Sequence, residues 1–335
     1  MSDNAVTWTH GIAVVIPCYK VTRHIEAVIE AIGTEVDAIY CVDDACPDGS
    51  GDHISRKVVD ARVHLIRQAV NTGVGGAVMA GYAKAMEDGA RIIVKIDGDG
   101  QMDPQLLPSF VAPILKGEAD YTKGNRFWSL KDIRRMPVIR RLGNLALSFM
   151  AKASTGYWNV FDPTNGYTAI HADVARHLPL DRISQRYFFE TDILFRLNAM
   201  RAVVVDIPMD ANYGAETSNM QVSAIMGEFA IKHARNVSKR IFYSYFLRDL
   251  SVASFELLLS FGLLSFGVIY TALAWWHSVS SGIPSHTGTV MISAVTLILG
   301  VQFALAWLNY DIASVPDRAL HPRLDHRLLP HAPGK

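Results

Sequence analysis

The sequence predicts an α/β protein with a doubly wound, mostly parallel sheet, followed by a C-terminal hairpin of two transmembrane helices. Three observations support this fold class. Short apolar runs alternate with helical segments between residues 12 and 123, which is typical of a parallel sheet. Acidic residues follow two of these runs directly, and two long uncharged apolar runs lie near the C-terminus.

The individual elements can be assigned from their apolar periodicity. Strands are predicted over residues 12–17, 38–42, 63–66, 91–96 and 119–123, and helices over residues 24–32, 73–87 and 104–115. Asp103 is placed to cap the last of these helices. Ligands of doubly wound sheets bind beyond the carboxyl ends of the strands. We therefore expect a binding site at that edge, within a domain that covers residues 1–222.

The composition narrows the class of protein. The chain has 335 residues, 50% of them apolar, and its 32 basic residues balance 32 acidic ones. A net charge of zero argues against nucleic-acid binding, which needs a basic surface. Cys18, Cys41 and Cys46 do not look like a disulfide framework, so we expect a reducing compartment. The N-terminus has no basic region before an apolar run, so we expect no cleavable signal peptide.

The two C-terminal runs predict a membrane hairpin within residues 251–310. Residues 257–276 and 288–308 are uncharged and about twenty residues long, enough to cross a hydrocarbon core of about 30 Å. Two buried helices of a large soluble core are the alternative, but these runs are apolar all round. Lysine and arginine flank the hairpin and are absent from its connector. The positive-inside rule therefore places the N-terminal domain and the tail, residues 311–335, in the cytoplasm.

Residues 223–250 join the predicted domain to the hairpin. Basic residues alternate there with aromatic and aliphatic ones. This pattern indicates an amphipathic helix on anionic headgroups, in a multi-pass protein of the cytoplasmic (inner) membrane. An ordinary surface helix of the N-terminal domain is the alternative.

Two carboxylates separated by one glycine end the fourth predicted strand, in Asp97-Gly98-Asp99-Gly100-Gln101. Such a pair is costly unless a cation lies between the charges. Oxygen ligands favour Mg²⁺ or Mn²⁺, and a hard cation with free positions suits a diphosphate ligand. The same composition also favours a simple turn, so spacing alone leaves both interpretations open.

Five segments carry a family resemblance: VVIPCYK (14–20), CVDDACPDGS (41–50), NTGVGGAVMAGYAKA (71–85), IDGDGQMDP (96–104) and GNRF (124–127). In order and spacing they resemble the motifs of family 2 glycosyltransferases with the Rossmann-like GT-A fold. The DGDGQ motif and the hairpin are similar to those of polyprenyl-phosphate glycosyltransferases, which include dolichyl-phosphate mannose synthases and bactoprenol glucosyltransferases. The resemblance implies inverting, metal-dependent transfer of a hexose from a nucleotide-diphosphate sugar to undecaprenyl or dolichyl phosphate. Mg²⁺ or Mn²⁺ would be the cofactor, and a homo-oligomer is compatible with it.

The resemblance also implies roles for residues on the donor side. The nucleoside would be held by Pro17, Tyr19, Asp43 and Asp44, with Asp44 on the base or the ribose. Asp97 would contact the nucleotide sugar, while Asp99 and Gln101 would reach the metal.

On the acceptor side, Arg126 would face the phosphates at the membrane surface, and Glu190 and Asp192 would lie near the sugar. In relatives with hydroxyl acceptors, Asp192 could act as a base. A lipid phosphate is already anionic and needs no general base, so we favour sugar binding for Asp192. An acid that stabilises the N-terminus of a helix is the alternative.

Other segments leave the interpretation open or depart from the family pattern. A basic cluster could bind the acceptor phosphate or only anionic headgroups; it consists of Arg134, Arg135, Arg140 and Arg141. Lys20 stands where relatives have Asn, and Cys46 replaces a Ser or Thr. Residues 212–219 lack the arginine and lysine of mannose synthases, which argues against GDP-mannose as donor.

Two other functions are compatible with parts of the pattern. A polysaccharide or glycolipid synthase would transfer the sugar to a hydroxyl acceptor. A processive synthase of that kind needs a Q-x-x-R-W motif and more membrane helices than one hairpin, and the chain has only Gln185-Arg186-Tyr187. A catalytically silent membrane scaffold would have no reason to keep the repulsive pair Asp97 and Asp99.

Overall fold

The computed structural model of the protein describes residues 8–128, 138–210 and 222–324. The chain divides into two compact units. One comprises residues 1–237 together with 316–335, and the other comprises residues 238–315.

The first unit is built on a seven-stranded sheet with the strand order β3-β2-β1-β4-β6-β5-β7. Strand β6 is antiparallel to both of its neighbours, and the other neighbouring pairs are parallel. This confirms the predicted mostly parallel sheet. The strands are β1 (Ile12–Cys18), β2 (Ala38–Asp43), β3 (Val63–Arg67), β4 (Ile92–Lys95), β5 (Tyr121–Asn125), β6 (Thr168–His171) and β7 (Val204–Pro208).

Helices connect these strands in the order that a doubly wound sheet requires. The helices of this unit are α1 (Ile25–Glu30), α2 (Ser50–Lys57), α3 (Val74–Glu87), α4 (Leu107–Leu115), α5 (Val138–Thr155), α6 (Ala172–Arg176) and α7 (Phe189–Ala199). Asp103 accepts a hydrogen bond from the backbone N–H of Gln105 and caps a 3₁₀ turn, Pro104–Leu106, that leads into α4. The predicted cap is therefore present, one short turn before the α-helix itself.

The core lies on the central strands. Strand β2 is buried along its whole length, as expected for a parallel strand that is covered on both faces. Helix α3 packs closely on β1, because a Cβ at Gly81 would clash with Val15. Beside α4, the rings of Phe110 and Tyr167 stack with centroids 3.9 Å apart.

The end of the described chain returns to this unit. The backbone N–H groups of Leu320 and His321 and the Nδ1 atom of His321 all lie 2.7–2.9 Å from the carboxylate of Asp120, which also accepts from Val203. Sequence analysis assigned residues 311–335 to a separate tail. In the structure, residues 316–324 belong to the first unit, and they include helix α11 (His321–Leu324).

Helix α8 (Val222–Phe242) leads into the second unit, where a π-helical turn, Tyr243–Arg248, follows it. The unit contains two long helices joined by a short connector, α9 (Val252–Ser281) and α10 (Thr287–Ala313). Both are long and apolar enough to cross a membrane, with mean hydropathy 2.0 and 2.1. Only 11% of each apolar window is buried, unlike the core helices of soluble proteins.

Contacts inside the second unit join its helices closely. A Cβ at Gly267 would lie 2.9 Å from Leu297, and one at Gly300 would lie 2.8 Å from Leu264. Near the ends of the helices, the guanidinium of Arg240 donates to both carboxylate oxygens of Asp311 at 2.6 and 2.9 Å. The hydroxyl of Tyr245 donates to the same carboxylate. Both oxygens of this buried carboxylate are therefore hydrogen bonded, which a buried charge requires.

Candidate active site

The parallel strands end at one edge of the sheet and bring the predicted site residues to it. Strands β1, β2 and β4 are mutually parallel, so Tyr19, Asp43 and Asp97 follow or end strands at the same edge. Strand β5 runs in the same direction, because both it and β4 are antiparallel to β6. Its carboxyl end leads to Arg126. The edge therefore collects acidic loops and an arginine around one region.

The carboxylates of the first acidic pair, Asp43 and Asp44, accept hydrogen bonds from two different loops. Asp44 is 2% exposed, and its carboxylate accepts hydrogen bonds from the N–H groups of Thr72 and Gly73 at 2.7 and 2.8 Å. These contacts fix the loop before α3. Asp43 accepts from the N–H of Cys46 and lies 3.7 Å from Arg67. The nucleoside contacts predicted for both residues, and for Pro17 and the 45%-exposed Tyr19, stay predictions.

The second acidic loop presents two partly exposed carboxylates, Asp97 and Asp99. Asp99 accepts a hydrogen bond from the N–H of Gln101 at 3.0 Å, across Gly100, whose φ of +76° favours glycine. Gly98 is buried against Ile16. The loop is therefore a turn, and it also directs carboxylates to the sheet edge.

The donor atoms of this loop fit a shared metal rather than an all-protein site. Among the described residues, no three His, Cys, Asp or Glu side chains are grouped to hold a metal ion. Mg²⁺ bound beside phosphates usually takes only one or two carboxylates from the protein. The partly exposed Asp99 supplies such a carboxylate, so a divalent cation that also binds a diphosphate is compatible with the loop.

Two buried lysines lie beneath the acidic loop. Lys95 and Lys123 are both paired with Thr168 in the sheet register, on either side of it, and both residues are buried. The ammonium of Lys95 lies 2.6 Å from Oδ1 of Asp97, whereas that of Lys123 donates to the backbone carbonyl of Asn165. Two buried lysine side chains of the sheet, Lys95 and Lys123, therefore lie next to the site.

Glu190, at the start of α7, belongs to the same group of charges. Burial raises the pKa of its carboxyl above the usual range, while the positive charges of Lys95 and Lys123 oppose that rise. Conversely, burial lowers the pKa of Lys123, and the negative charge of Glu190 opposes that fall. Glu190 is thus linked electrostatically to the loop of Asp97.

Asp192, two residues further along α7, is engaged within the protein. Its Oδ2 atom accepts from the N–H of Ser184 at 2.9 Å and lies 3.4 Å from Arg196, and the residue is 6% exposed. These contacts stabilise the segment before α7. Sugar binding by Asp192 stays a prediction, and of the two acids Glu190 is the one linked to Asp97.

Arg126 follows β5 and is held by a carboxylate that sequence analysis did not single out. Its Nε and Nη2 atoms donate to the two oxygens of Asp162 at 2.7 and 3.1 Å. The side chain of Asp162 is fully buried, and that of Arg126 is 32% exposed. The arginine is therefore fixed by the protein and still reaches the surface.

Some predicted features lie outside the described part of the chain. Arg134, Arg135 and residues 212–219 are outside the described residues, and so are the side chains of Arg140 and Arg141.

Three residues of the site were not predicted from the sequence: Lys95, Lys123 and Asp162. A lysine inside an apolar strand signals a buried charge, and RIIVKI contains one. Asp162 stands in the turn-like segment DPTNG, where composition indicates only a loop.

Comparisons with known proteins identify the family of the chain. The profile of glycosyl transferase family 2 matches residues 13–178. The chain is 30% identical over 228 residues to an undecaprenyl-phosphate mannosyltransferase of Micrococcus luteus, covering 66% of this chain and 91% of that protein. It is 27% identical over 216 residues to a UDP-N-acetylglucosamine–dolichyl-phosphate N-acetylglucosaminyltransferase of Methanococcus voltae, covering 60% and 86%.

Solved structures support the fold. Glucosyl-3-phosphoglycerate synthase from Mycobacterium tuberculosis, in complex with Mn²⁺ and UDP-glucose, aligns with a TM-score of 0.51 at 20% identity. The alignment covers 69% of this chain and 84% of the synthase. This likeness confirms a GT-A architecture for the sheet domain.

Proposed function

The chain belongs to glycosyl transferase family 2, and from that premise we propose that it transfers a sugar from a nucleotide-diphosphate sugar to a polyprenyl phosphate. One observation carries the acceptor class: the relative that is 30% identical, and covered over 91% of its length, is named for a lipid phosphate. The two helices that could span a membrane give such a lipid a place to meet the enzyme.

The donor side of the reaction rests on the acidic edge of the sheet. Asp43 and Tyr19 would hold the nucleoside beside β1 and β2, and Asp97 would contact the sugar-bearing diphosphate. Mg²⁺ or Mn²⁺, when bound, would neutralise charge on the departing diphosphate. Asp99, together with Gln101, would hold that ion.

On the acceptor side, the lipid phosphate must be positioned, but it does not have to lose a proton. An oxygen of the lipid phosphate bonds to the anomeric carbon, the bond from that carbon to the diphosphate breaks, and the nucleoside diphosphate leaves. The attacking oxygen is already anionic, so no general base is required. Arg126, fixed by Asp162 and partly exposed, would attract the phosphate and orient it. Glu190 would bind sugar hydroxyls.

We place the enzyme in the cytoplasmic membrane with the catalytic unit in the cytoplasm. The Lys/Arg asymmetry around the hairpin supports this orientation. Helix α8 exposes large apolar side chains, among them Ile231 at 71% and Phe242 at 57%. That pattern favours contact with the membrane interface over an ordinary surface helix.

The test is transfer of labelled sugar by the purified full-length protein in lipid nanodiscs. A panel of nucleotide sugars is offered with undecaprenyl phosphate or with undecaprenol. We expect labelled lipid from the phosphate and none from the free alcohol. Transfer to undecaprenol would favour a hydroxyl-acceptor synthase. Absence of both transfer and nucleotide binding would favour a silent scaffold.

A further inference from the structure

Lys95 occupies an unusual position for a charged residue. It is the last residue of β4, and the neighbouring strand positions of β1 and β4 are buried and apolar. A buried ammonium group is costly unless it is paired. An apolar residue at this position would avoid that cost, and the carboxylate that the ammonium of Lys95 contacts is that of Asp97.

The contacts of Lys95 restrict what it can do. Its side chain is 2% exposed, whereas that of Asp97 is 29% exposed. Its ammonium lies 2.6 Å from Oδ1 of Asp97 and 5.6 Å from the centre of the Phe189 ring. Lys95 therefore influences a ligand through Asp97 rather than by direct contact.

Gly166 confines the same pair. A Cβ at this position would lie 2.6 Å from Oδ2 of Asp97 and closer still to the ammonium of Lys95. Only a glycine lets the backbone of this loop approach so closely. The Asp97 carboxylate is thus held by charge at Oδ1, and the lack of a Cβ at Gly166 leaves room beside Oδ2.

We propose that Lys95 is a positioning residue for donor binding, which commits one oxygen of Asp97 to the protein and leaves the other for the nucleotide sugar. The inference rests on the proposed function, because it assumes that Asp97 meets the donor. A fixed carboxylate binds its ligand without first losing rotamer freedom, and this gain in preorganisation raises affinity.

A double-mutant cycle tests the proposal on the full-length protein. Binding of UDP and of GDP, each with Mn²⁺, is measured by calorimetry for the wild type, Lys95→Met, Asp97→Asn and the double variant. We expect Lys95→Met to weaken binding about tenfold or more, as loss of a residue that orients a ligand-binding group does. In the Asp97→Asn background the same change should have little effect.

Lys123 provides the matched control. It is equally buried and occupies the same row of the sheet, but its ammonium donates to Asn165 rather than to Asp97. Any effect of Lys123→Met on nucleotide binding should be the same in the wild-type background and in the Asp97→Asn background. Thermal unfolding of both lysine variants measures the general cost of losing a buried charge.

Gly166→Ala gives a second route if Lys95→Met does not fold. It keeps the lysine but displaces both its ammonium and the Asp97 carboxylate, so its effect should also depend on Asp97. The proposal is overturned if Lys95→Met and Gly166→Ala weaken binding equally in both backgrounds, or if Lys123→Met shows the same dependence on Asp97. If the wild type binds neither nucleotide, the proposed function itself fails.

Discussion

The guanidinium of Arg126 holds both carboxylate oxygens of Asp162, a residue 36 positions further along the chain. The side chain of Asp162 is fully buried, and this arginine supplies the opposite charge that a buried carboxylate needs. The pair therefore has two roles: it stabilises the loop after β5 and fixes a partly exposed guanidinium at the sheet edge.

This pairing decides which substitution can test the role of Arg126. Arg126→Ala would leave the Asp162 charge buried without this arginine, at a cost of about 3–5 kcal/mol in unfolding free energy. Arg126→Lys keeps the charge but loses the two-point geometry. We expect Arg126→Lys to lower transfer to undecaprenyl phosphate roughly tenfold or more, while nucleotide binding changes by less than about threefold. Equal losses in both measurements would place Arg126 on the donor.

The metal prediction concerns Asp99. Because its carboxylate is partly exposed beside the Asp97 loop, Asp99→Ala should abolish transfer, and excess EDTA should do the same to the wild type. Asp181→Ala is the matched control, since that side chain is 80% exposed and far along the chain from the acidic loops. Full activity of the wild type in EDTA would contradict metal dependence.

Membrane topology can be tested at the connector between α9 and α10. Ser280 should lie outside the cell if the Lys/Arg asymmetry sets the orientation. Cys18 and Cys41 are buried, but Cys46 is partly exposed, so the variant should be built on Cys46→Ser. We expect Ser280→Cys to react with a membrane-impermeant maleimide in intact cells. Reaction only after lysis would reverse the orientation.

The returning chain end should stabilise the first unit. Burial raises the pKa of Asp120, but hydrogen bonds from His321, Val203 and Leu320 outweigh it and hold the pKa below the usual range. Asp120→Ala leaves these donors unsatisfied, and we expect a loss of about 3 kcal/mol in thermal or chemical unfolding of the detergent-solubilised protein. Asp181→Ala should change stability by less than about 0.5 kcal/mol. An unchanged midpoint for Asp120→Ala would show that the contact adds nothing.

Because of His171, we expect the free energy of unfolding to fall at acid pH. Burial lowers its pKa to about 4; the neighbouring His321 and Arg91 act in the same direction, and Asp173 and Asp120 oppose it. The unfolded imidazole titrates near 6.5, so the stability that His171 contributes is complete above that pH and is lost as the pH falls towards 4. At pH 5 the loss is about 2 kcal/mol. His171→Gln should flatten the fall in stability between pH 7 and 5, and an unaltered slope would contradict this assignment.

Periodicity and strand-end chemistry were enough to predict the sheet edge and its acidic loops. The strand that ends at Asp43 and the strand before Asp97 were predicted to within one or two residues, because buried parallel strands are continuous apolar runs. The two long helices were predicted because each is an uncharged apolar run of about twenty residues. Strand β6 was not, because its four residues, Thr168–His171, are too short to show a period.

The contacts that hold the side chains of the site could not be predicted from the sequence. Asp44 and Asp192 look like ligand-binding acids by position, yet their carboxylates accept hydrogen bonds from backbone N–H groups of other loops. Asp162 reaches Arg126 only because the chain folds back over 36 residues. Pairings of this kind depend on tertiary geometry, which no local pattern encodes.

The return of residues 316–324 to the first unit has a consequence for biogenesis. Leu320 and His321 are made only after α9 and α10, because synthesis runs from the N-terminus and domains generally fold in that order. In a nascent chain that has completed β5, the Asp120 carboxylate therefore lacks these donors until α9, α10 and residues 320–321 have been synthesised. The last hydrogen bonds of the first unit can therefore form only after both long apolar helices have been synthesised.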